Sequence, residues 1–327
     1  MIKEISLIIP HQDDEEKLST LLCSISNWKT VPNEIIIINT SFNTLSIPYD
    51  FESFIEHTNI KFYVIHKKNY YPGHARNIGI ENANNMLLAF LDTSTHPCNN
   101  WLSDSLGIID SNNYHIVWGR TYYQADKFLP KIFRACTYGD RPIKTLPGSI
   151  MHKDVFKKCG LFVESTRAGE DGDFMSRVEL HDIKVTESKN FLNYEKLNQM
   201  SFFEILKKWH RNYFHSARLP YSRPHKDIYF YGISFVAIII AYNWNSFVDP
   251  TGIENELFIP NITKISVILI LFVYLNFRGI YLPLKKGSKL NTIFPFNFFI
   301  ISFLSAILDL VKILAFAKSK FYKNKSN

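Results

Sequence analysis

The sequence predicts an α/β fold with a mostly parallel sheet, followed by C-terminal transmembrane helices, and three observations carry that expectation. Over the first 100 residues short apolar runs alternate with helix-period patterns, as βαβ units do. The segment from Gly73 reads as a glycine-opened helix feeding the apolar run 86–91, which stops at Asp92, the position where open α/β sheets build ligand sites. Three apolar stretches then occupy the last hundred residues, each near the roughly 20 residues that a membrane-spanning helix needs.

Strands are expected at 5–9, 34–38, 61–66 and 86–91. Between the first two, Leu18, Leu21, Leu22, Ile25 and Trp28 recur at helical spacing, and Asp13 and Asp14 are placed to cap that helix and favour its dipole. Residues 100–200 mix a helix, a strand near Ile116-Val-Trp118 and charge-rich loops, a less regular half that completes a cleft. From Ser201 the character changes. Phe202, Phe203, Ile205, Leu206, Trp209 and Tyr213 alternate with Lys207, Lys208, His210, Arg211 and Arg218, the pattern of an amphipathic helix at a membrane interface or of a last helix packed on the preceding domain.

The apolar segments are 228–247, 262–282 and 293–317. The expected organisation is therefore a domain over 1–200, an amphipathic segment over 201–227, and a membrane region over 228–327 with two or three transmembrane helices and a basic tail. Lys285, Lys286 and Lys289 in the 283–292 connection, against no Lys or Arg in 248–263, place both ends of the first hairpin in the cytoplasm. Lys318, Lys320, Lys323 and Lys325 would lie outside if the third segment simply spans. Asp309 and Lys312 interrupt that segment, as a re-entrant helix or a polar feature of a bundle would require.

Composition narrows the partners. The 327 residues are 46% hydrophobic, enough for a full core and an appendage, and carry a formal charge of +7. The basic residues gather near the apolar third, which favours an anionic membrane surface and argues against nucleic acid. Cys23, Cys98, Cys136 and Cys159 are far apart with no Cys-x-x-Cys pair, so neither a zinc site nor a disulfide framework is indicated and a reducing cytosol fits. The chain enters a strand pattern at Ile5, leaving no room for a cleavable signal peptide, so the N-terminal domain is expected in the cytoplasm of a cell whose inner or plasma membrane holds the helices.

Four stretches in order carry the chemistry. They are Ile8-Ile9-Pro10-His-Gln-Asp-Asp-Glu-Glu-Lys-Leu18; Gly73-His-Ala-Arg76-Asn77-Ile-Gly79 with Phe90-Leu-Asp92 and Trp101-Leu; Pro147-Gly-Ser-Ile-Met-His-Lys-Asp-Val-Phe with Cys159-Gly-Leu-Phe; and Gly169-Glu170-Asp171-Gly-Asp173-Phe-Met-Ser-Arg177. Together, over about residues 5–180, they resemble family 2 glycosyltransferases, enzymes of the GT-A fold, a Rossmann-like nucleotide-diphosphosugar transferase fold. The resemblance implies an inverting transfer of a sugar from a nucleotide-diphosphate sugar to an acceptor. It implies donor binding by Pro10, Asp13, Asn39, Arg76, Asn77 and Asp92, with Asp171 as the base for the acceptor hydroxyl and Glu170 shaping the pocket. Arg177 is expected as a structural partner.

The family's DxD motif holds a divalent cation, magnesium or manganese, on the donor diphosphate; here it is reduced to Asp92-Thr93-Ser94, so Asp92 and Ser94 are the expected metal contacts and the cation should be held more weakly. Asn39-Thr40-Ser41 replaces the usual acidic pair at the end of the second strand, where Asn39 can meet a base edge or simply close a turn. Asp13 can contact the nucleotide or cap a helix, and Arg76 can meet Asp92, the diphosphate or the sheet. His74 and His96 flank the site as lone histidines. The Gln-x-x-Arg-Trp motif of processive relatives is absent; Arg211 or Arg218 can reach phosphate there or snorkel at the membrane.

The expected function is a membrane-attached glycosyltransferase working on a lipid-linked or polysaccharide acceptor, as in cell-envelope polysaccharide biosynthesis. The competing reading is a catalytically degenerate GT-A domain acting as a membrane-bound scaffold or partner. A nucleotidyltransferase fits less well, because no glycine-rich basic signature follows the first strand.

Overall fold

The computed structural model describes residues 4–221, 226–248 and 257–323. In chain order the elements are β1 (Ile5–His11), α1 (Glu15–Ile25), β2 (Glu34–Asn39), α2 (Tyr49–Glu56), β3 (Lys61–His66), α3 (Pro72–Asn82), β4 (Leu87–Phe90), β5 (Thr95–His96), α4 (Trp101–Asn112) and β6 (Ile116–Tyr123). There follow α5 (Phe128–Cys136), β7 (Ile143–His152), α6 (Asp154–Cys159), α7 (Glu170–Val178), β8 (Val185–Glu187), β9 (Leu192–Tyr194) and α8 (Phe202–Ser216). The strands join in one sheet of order β3-β2-β1-β4-β7-β6-β9-β5, with β8 also on β6. β3, β2, β1 and β4 run parallel; β7 is antiparallel to both β4 and β6.

The unbroken apolar runs of β1 and β2 follow from burial on both faces. Alternate side chains divide between two cores. Leu7, Ile9, Ile35 and Ile37 pack with Leu18, Leu21, Leu22 and Ile25 of α1 on one side. On the other, Ile8, Ile36 and Ile38 pack with Ala75 and Ile78 of α3 and with Phe156, Phe162 and Phe174. Each such aliphatic side chain contributes about 1.5–3 kcal/mol by leaving water. Trp28 meets Trp101 edge-to-face at 5.4 Å, tying the end of α1 to the start of α4.

Three local expectations are corrected. α3 begins at Pro72, which suits a first helical position, so Gly73 does not open it. Gly73 is required because the Val163 carbonyl occupies the place a Cβ would take. Gly79 likewise lets α3 lie against Ile8 and Ile38, and Gly79→Ala should cost about 1–3 kcal/mol by overpacking, measurable as a lowered denaturation midpoint. At the start of α1, Asp14 occupies the capping position but its side chain makes no cap and binds Lys17 at 2.7 Å, while Asp13 sits exposed with φ +53°.

The chain separates into two units: residues up to 130, 141–222 and from 315 form one; 131–140 and 223–314 form the other. The amphipathic helix α8 belongs to the first. Ser201 and Glu204 close a reciprocal capping box at its start, Ile205 is buried, and Lys208 donates to the Tyr194 hydroxyl at 2.9 Å. At its other end Gly169 meets Ser216 and Leu219 so closely that a Cβ would clash.

The second unit is built from α9 (Lys226–Val248), α10 (Ile262–Tyr274) running through a π-helical turn at Leu275–Tyr281 into α11 (Leu282–Lys285), then α12 (Leu290–Ile293) and most of α13 (Asn297–Lys323). Tyr231–Val248, Ile262–Lys285 and Asn297–Phe321 are each long and apolar enough to cross a membrane. Asp309 and Lys312 are resolved as a bundle feature: Asp309 accepts from Tyr231, Tyr274 and Arg278 at 2.7, 3.2 and 2.7 Å and lies 3.1 Å from Lys312. Residues 249–256, in the connection expected to lack basic residues, and Lys325 of the tail lie outside the described residues.

Candidate active site

Because β2, β1 and β4 are parallel neighbours, their C-terminal ends open on one edge of the sheet, and a cleft forms there. Pro10, His11 and Gln12 line it from β1, Thr40 from β2, and Asp92, Thr93 and Ser94 from β4; Tyr70, Pro72 and Arg76 close it from the start of α3. Thr40 is locked to β1, its N–H and hydroxyl both donating to the His11 carbonyl at 2.9 and 3.0 Å.

Arg76 is the hub. Its guanidinium donates to Glu170 at 2.7 Å and to Asp92 at 3.0 Å, and its side chain is 6% exposed. Burial works against its charge, but Asp92 and Glu170 outweigh burial and hold its pKa above the ordinary value. Glu170 is pushed above the usual carboxylate range by burial, with Arg76 opposing the rise and Asp171 adding to it. Arg76 therefore links the end of β4 to the first residue of α7. Gly169, in the left-handed region at φ +91°, makes the turn into α7.

Asp171, next to Glu170, is half-buried, and its carboxylate accepts the Gly172 N–H at 2.8 Å. It forms no ion pair among the described residues. Its charge is felt at Arg76 and Glu170, although it is not among the cleft's lining residues. Arg177 pairs with buried Asp173 at 2.9 Å and donates to the Leu161 carbonyl at 2.8 Å, which fixes α7 to the preceding loop.

Pro10, Arg76, Asp92 and Ser94 thus share the cleft, and Glu170 joins through Arg76. Asn39, Asn77 and Asp13 do not line it. Asn39 donates to the Asn43 carbonyl at 3.0 Å, contacts His66 at 3.3 Å and accepts the Ser41 N–H at 3.0 Å, which commits its amide to closing a turn. Asn77 exchanges two bonds with the Phe162 backbone, at 2.9 and 3.0 Å, and donates to Glu164 at 2.9 Å. Asp13 faces solvent. His74 stacks on Tyr70 at 3.9 Å, and His96 pairs with Asn193 in the short β5 strand.

Sequence reasoning passed over His11, Gln12 and Tyr70 as cleft walls, and left Thr40 between a ligand contact and a turn residue. His11 is 2% exposed, its Nδ1 has no hydrogen-bond partner among the described residues, and burial holds its imidazole below the ordinary range against Glu15, Asp14 and Asp13. The available signal was a polar residue directly after an apolar strand and Pro10. Among the described residues no three His, Cys, Asp or Glu side chains gather as a ready metal cage. What the cleft offers a cation is the Asp92 carboxylate, half engaged by Arg76, and the hydroxyls of Thr93 and Ser94.

Residues 6–160 match the model of the family described as Glycosyl transferase family 2. An "Uncharacterized glycosyltransferase" of Rickettsia bellii (strain RML369-C) is 28% identical over 178 residues, 51% of this chain and 25% of that protein, so the chain spans about a quarter of this relative's length. A crystal structure of S. aureus TarS 1–349 superposes with a TM-score of 0.44 at 13% identity, over 99% of this chain and 92% of that one. The same protein in complex with UDP-GlcNAc gives 0.45 at 13% identity over the same shares, a similarity too loose to place a ligand.

Proposed function

We propose that the chain, whose residues 6–160 match the model of the family described as Glycosyl transferase family 2, is an inverting, membrane-attached enzyme that transfers a sugar from a nucleotide-diphosphate donor to a lipid-linked or polysaccharide acceptor. The observation that supports this most is the Asp92–Arg76–Glu170 link, which joins the floor of the cleft to the helix start bearing Asp171. In this reading the link ties a donor wall to the helix that bears the base.

In this reading the acceptor hydroxyl gives its proton to the Asp171 carboxylate as its oxygen bonds to the anomeric carbon. The bond from that carbon to the diphosphate oxygen breaks on the opposite face, and its electron pair leaves with the diphosphate. One displacement inverts the anomeric centre. Arg76 orients Asp92 and Glu170, and because both carboxylates already occupy it, its charge is not spare for the leaving group.

The oxygen donors of Asp92 and Ser94 suit a hard cation that arrives on the diphosphate, since magnesium commonly takes one or two carboxylates plus substrate phosphates. Such an ion would supply charge neutralisation at the leaving group. Removing divalent cations with a chelator should raise the dissociation constant of a nucleoside diphosphate, read by calorimetry, and Asp92→Asn should abolish that sensitivity. Equal affinity with and without chelator in the wild type would mark a metal-independent site.

The second reading, a degenerate scaffold, draws on the missing second carboxylate at Ser94. Retention of Asp92, Arg76, Glu170 and Asp171 weighs against it. Turnover of a donor separates the two.

A further inference from the structure

We propose that the basic face of α8, together with Arg167, binds a phosphate group carried by the acceptor, an inference that rests on the reading of the cleft as a glycosyltransferase site. Lys208, Arg211, His215 and Arg218 follow at spacings of three, four and three, which puts them on one side of α8 and its continuation. Arg167 comes to the same place from the loop before α7: Gly169 packs against Ser216 and Leu219. The groups are close enough to act on one another. Partial burial, then Arg218, Arg211 and Arg167, hold the His215 imidazole below its ordinary range.

Cations gathered like this are normally paired with carboxylates. Here Arg167, Arg211 and Arg218 form no ion pair among the described residues; Arg167 donates to the Gln12 side chain at 3.3 Å and Arg218 lies over the Phe214 ring at 5.4 Å. Arg211 and Arg218 are exposed and Arg167 is half-buried, so the three guanidinium groups are open to an anion, and their geometry matches phosphate.

Its position selects the acceptor's phosphate. Gln12 lines the cleft, so Arg167 stands at its rim. Gly169, which fixes α8 to this loop, immediately precedes Glu170 and Asp171, so the cluster flanks the candidate base. On its other side, Lys208 binds Tyr194, whose strand pairs with Thr95, and Thr95 donates to the Asp92 carbonyl at 2.8 Å. An acceptor whose reacting oxygen reaches Asp171 can leave an attached phosphate on this rim. Such a phosphate could belong to a membrane lipid or to a soluble, phosphate-bearing sugar polymer.

The test uses the full chain in detergent. Affinity is measured for mixed micelles containing phosphatidic acid, for phosphatidylcholine micelles, for soluble glycerol phosphate and for a nucleoside diphosphate, in wild type, Arg211→Gln and Arg167→Gln. We expect wild type to bind phosphatidic acid or glycerol phosphate over phosphatidylcholine, the preferred probe identifying the lipid or the soluble source. Each substitution should weaken that binding by about tenfold or more, leave nucleoside diphosphate affinity within about twofold, and leave the melting temperature unchanged or raised by relief of like-charge repulsion. The proposal is overturned if wild type binds neither phosphate probe, if the variants bind as wild type does, if nucleoside diphosphate affinity falls by the same factor, or if the substitutions act only by lowering the melting temperature. Wild type that binds no nucleoside diphosphate would instead overturn the donor-cleft reading beneath it.

Discussion

Asp171→Asn is expected to slow sugar transfer by about a hundred- to ten-thousand-fold, the usual range for loss of a positioned general base, while nucleoside diphosphate affinity changes little. The substitution keeps the side chain's shape and removes its capacity to take a proton. Because the Asp171 carboxylate accepts the adjacent Gly172 N–H and forms no ion pair among the described residues, the fold should tolerate the change. Parallel measurements of initial rate, donor affinity and melting temperature check all three parts. A variant that transfers at the wild-type rate would remove Asp171 from the chemistry.

The second large effect is expected at Arg76. Replacing it with methionine leaves Glu170 buried without its cation and frees Asp92, and breaking a buried ion pair from one side typically costs about 3–5 kcal/mol. Arg76→Met should therefore lower the denaturant midpoint and abolish transfer together. Arg76→Lys should recover only part of either, since an ammonium lacks the planar fork that reaches two carboxylates. Glu170→Gln offers a contrast: it removes one charge of the pair but keeps a hydrogen-bonding group, so its stability loss should be smaller than that of Arg76→Met. Equal losses in the two variants would mean that the guanidinium's link to Asp92 contributes nothing.

Much of this architecture was legible because it depends on local pattern. Ile35 to Ile38 form an uninterrupted run of β-branched apolar residues, which suits a strand covered on both faces. The end of the β4 run at Asp92 likewise placed a carboxylate on the cleft edge. The partners of Arg76 were only half readable: Asp92 is 16 residues away and follows the next strand, whereas Glu170 is 94 away and meets it only through tertiary packing.

The asparagines show why composition misleads. Asn39 and Asn77 have the functional groups to read a ligand, but turn closure at Ser41 and Asn43 and the approach of the 162–164 loop absorb them, and no local spacing announces either contact. Gly73 was noticed for the right position and the wrong reason, since its demand comes from the Val163 carbonyl about ninety residues later. In α8 the alternation of aromatic and basic residues was visible, but the sequence could not say that Arg167 would stand beside it.

The central claim is that the cleft at the ends of β1, β2 and β4 holds a nucleotide-diphosphate sugar for transfer. Its most direct test is release of nucleoside diphosphate from a panel of donor sugars by the full chain in detergent with membrane lipid extract and magnesium or manganese present. Release from at least one donor, saturable in that donor and lost in Asp171→Asn, is expected. Neither binding nor release with any donor would contradict the claim and leave the scaffold reading in its place.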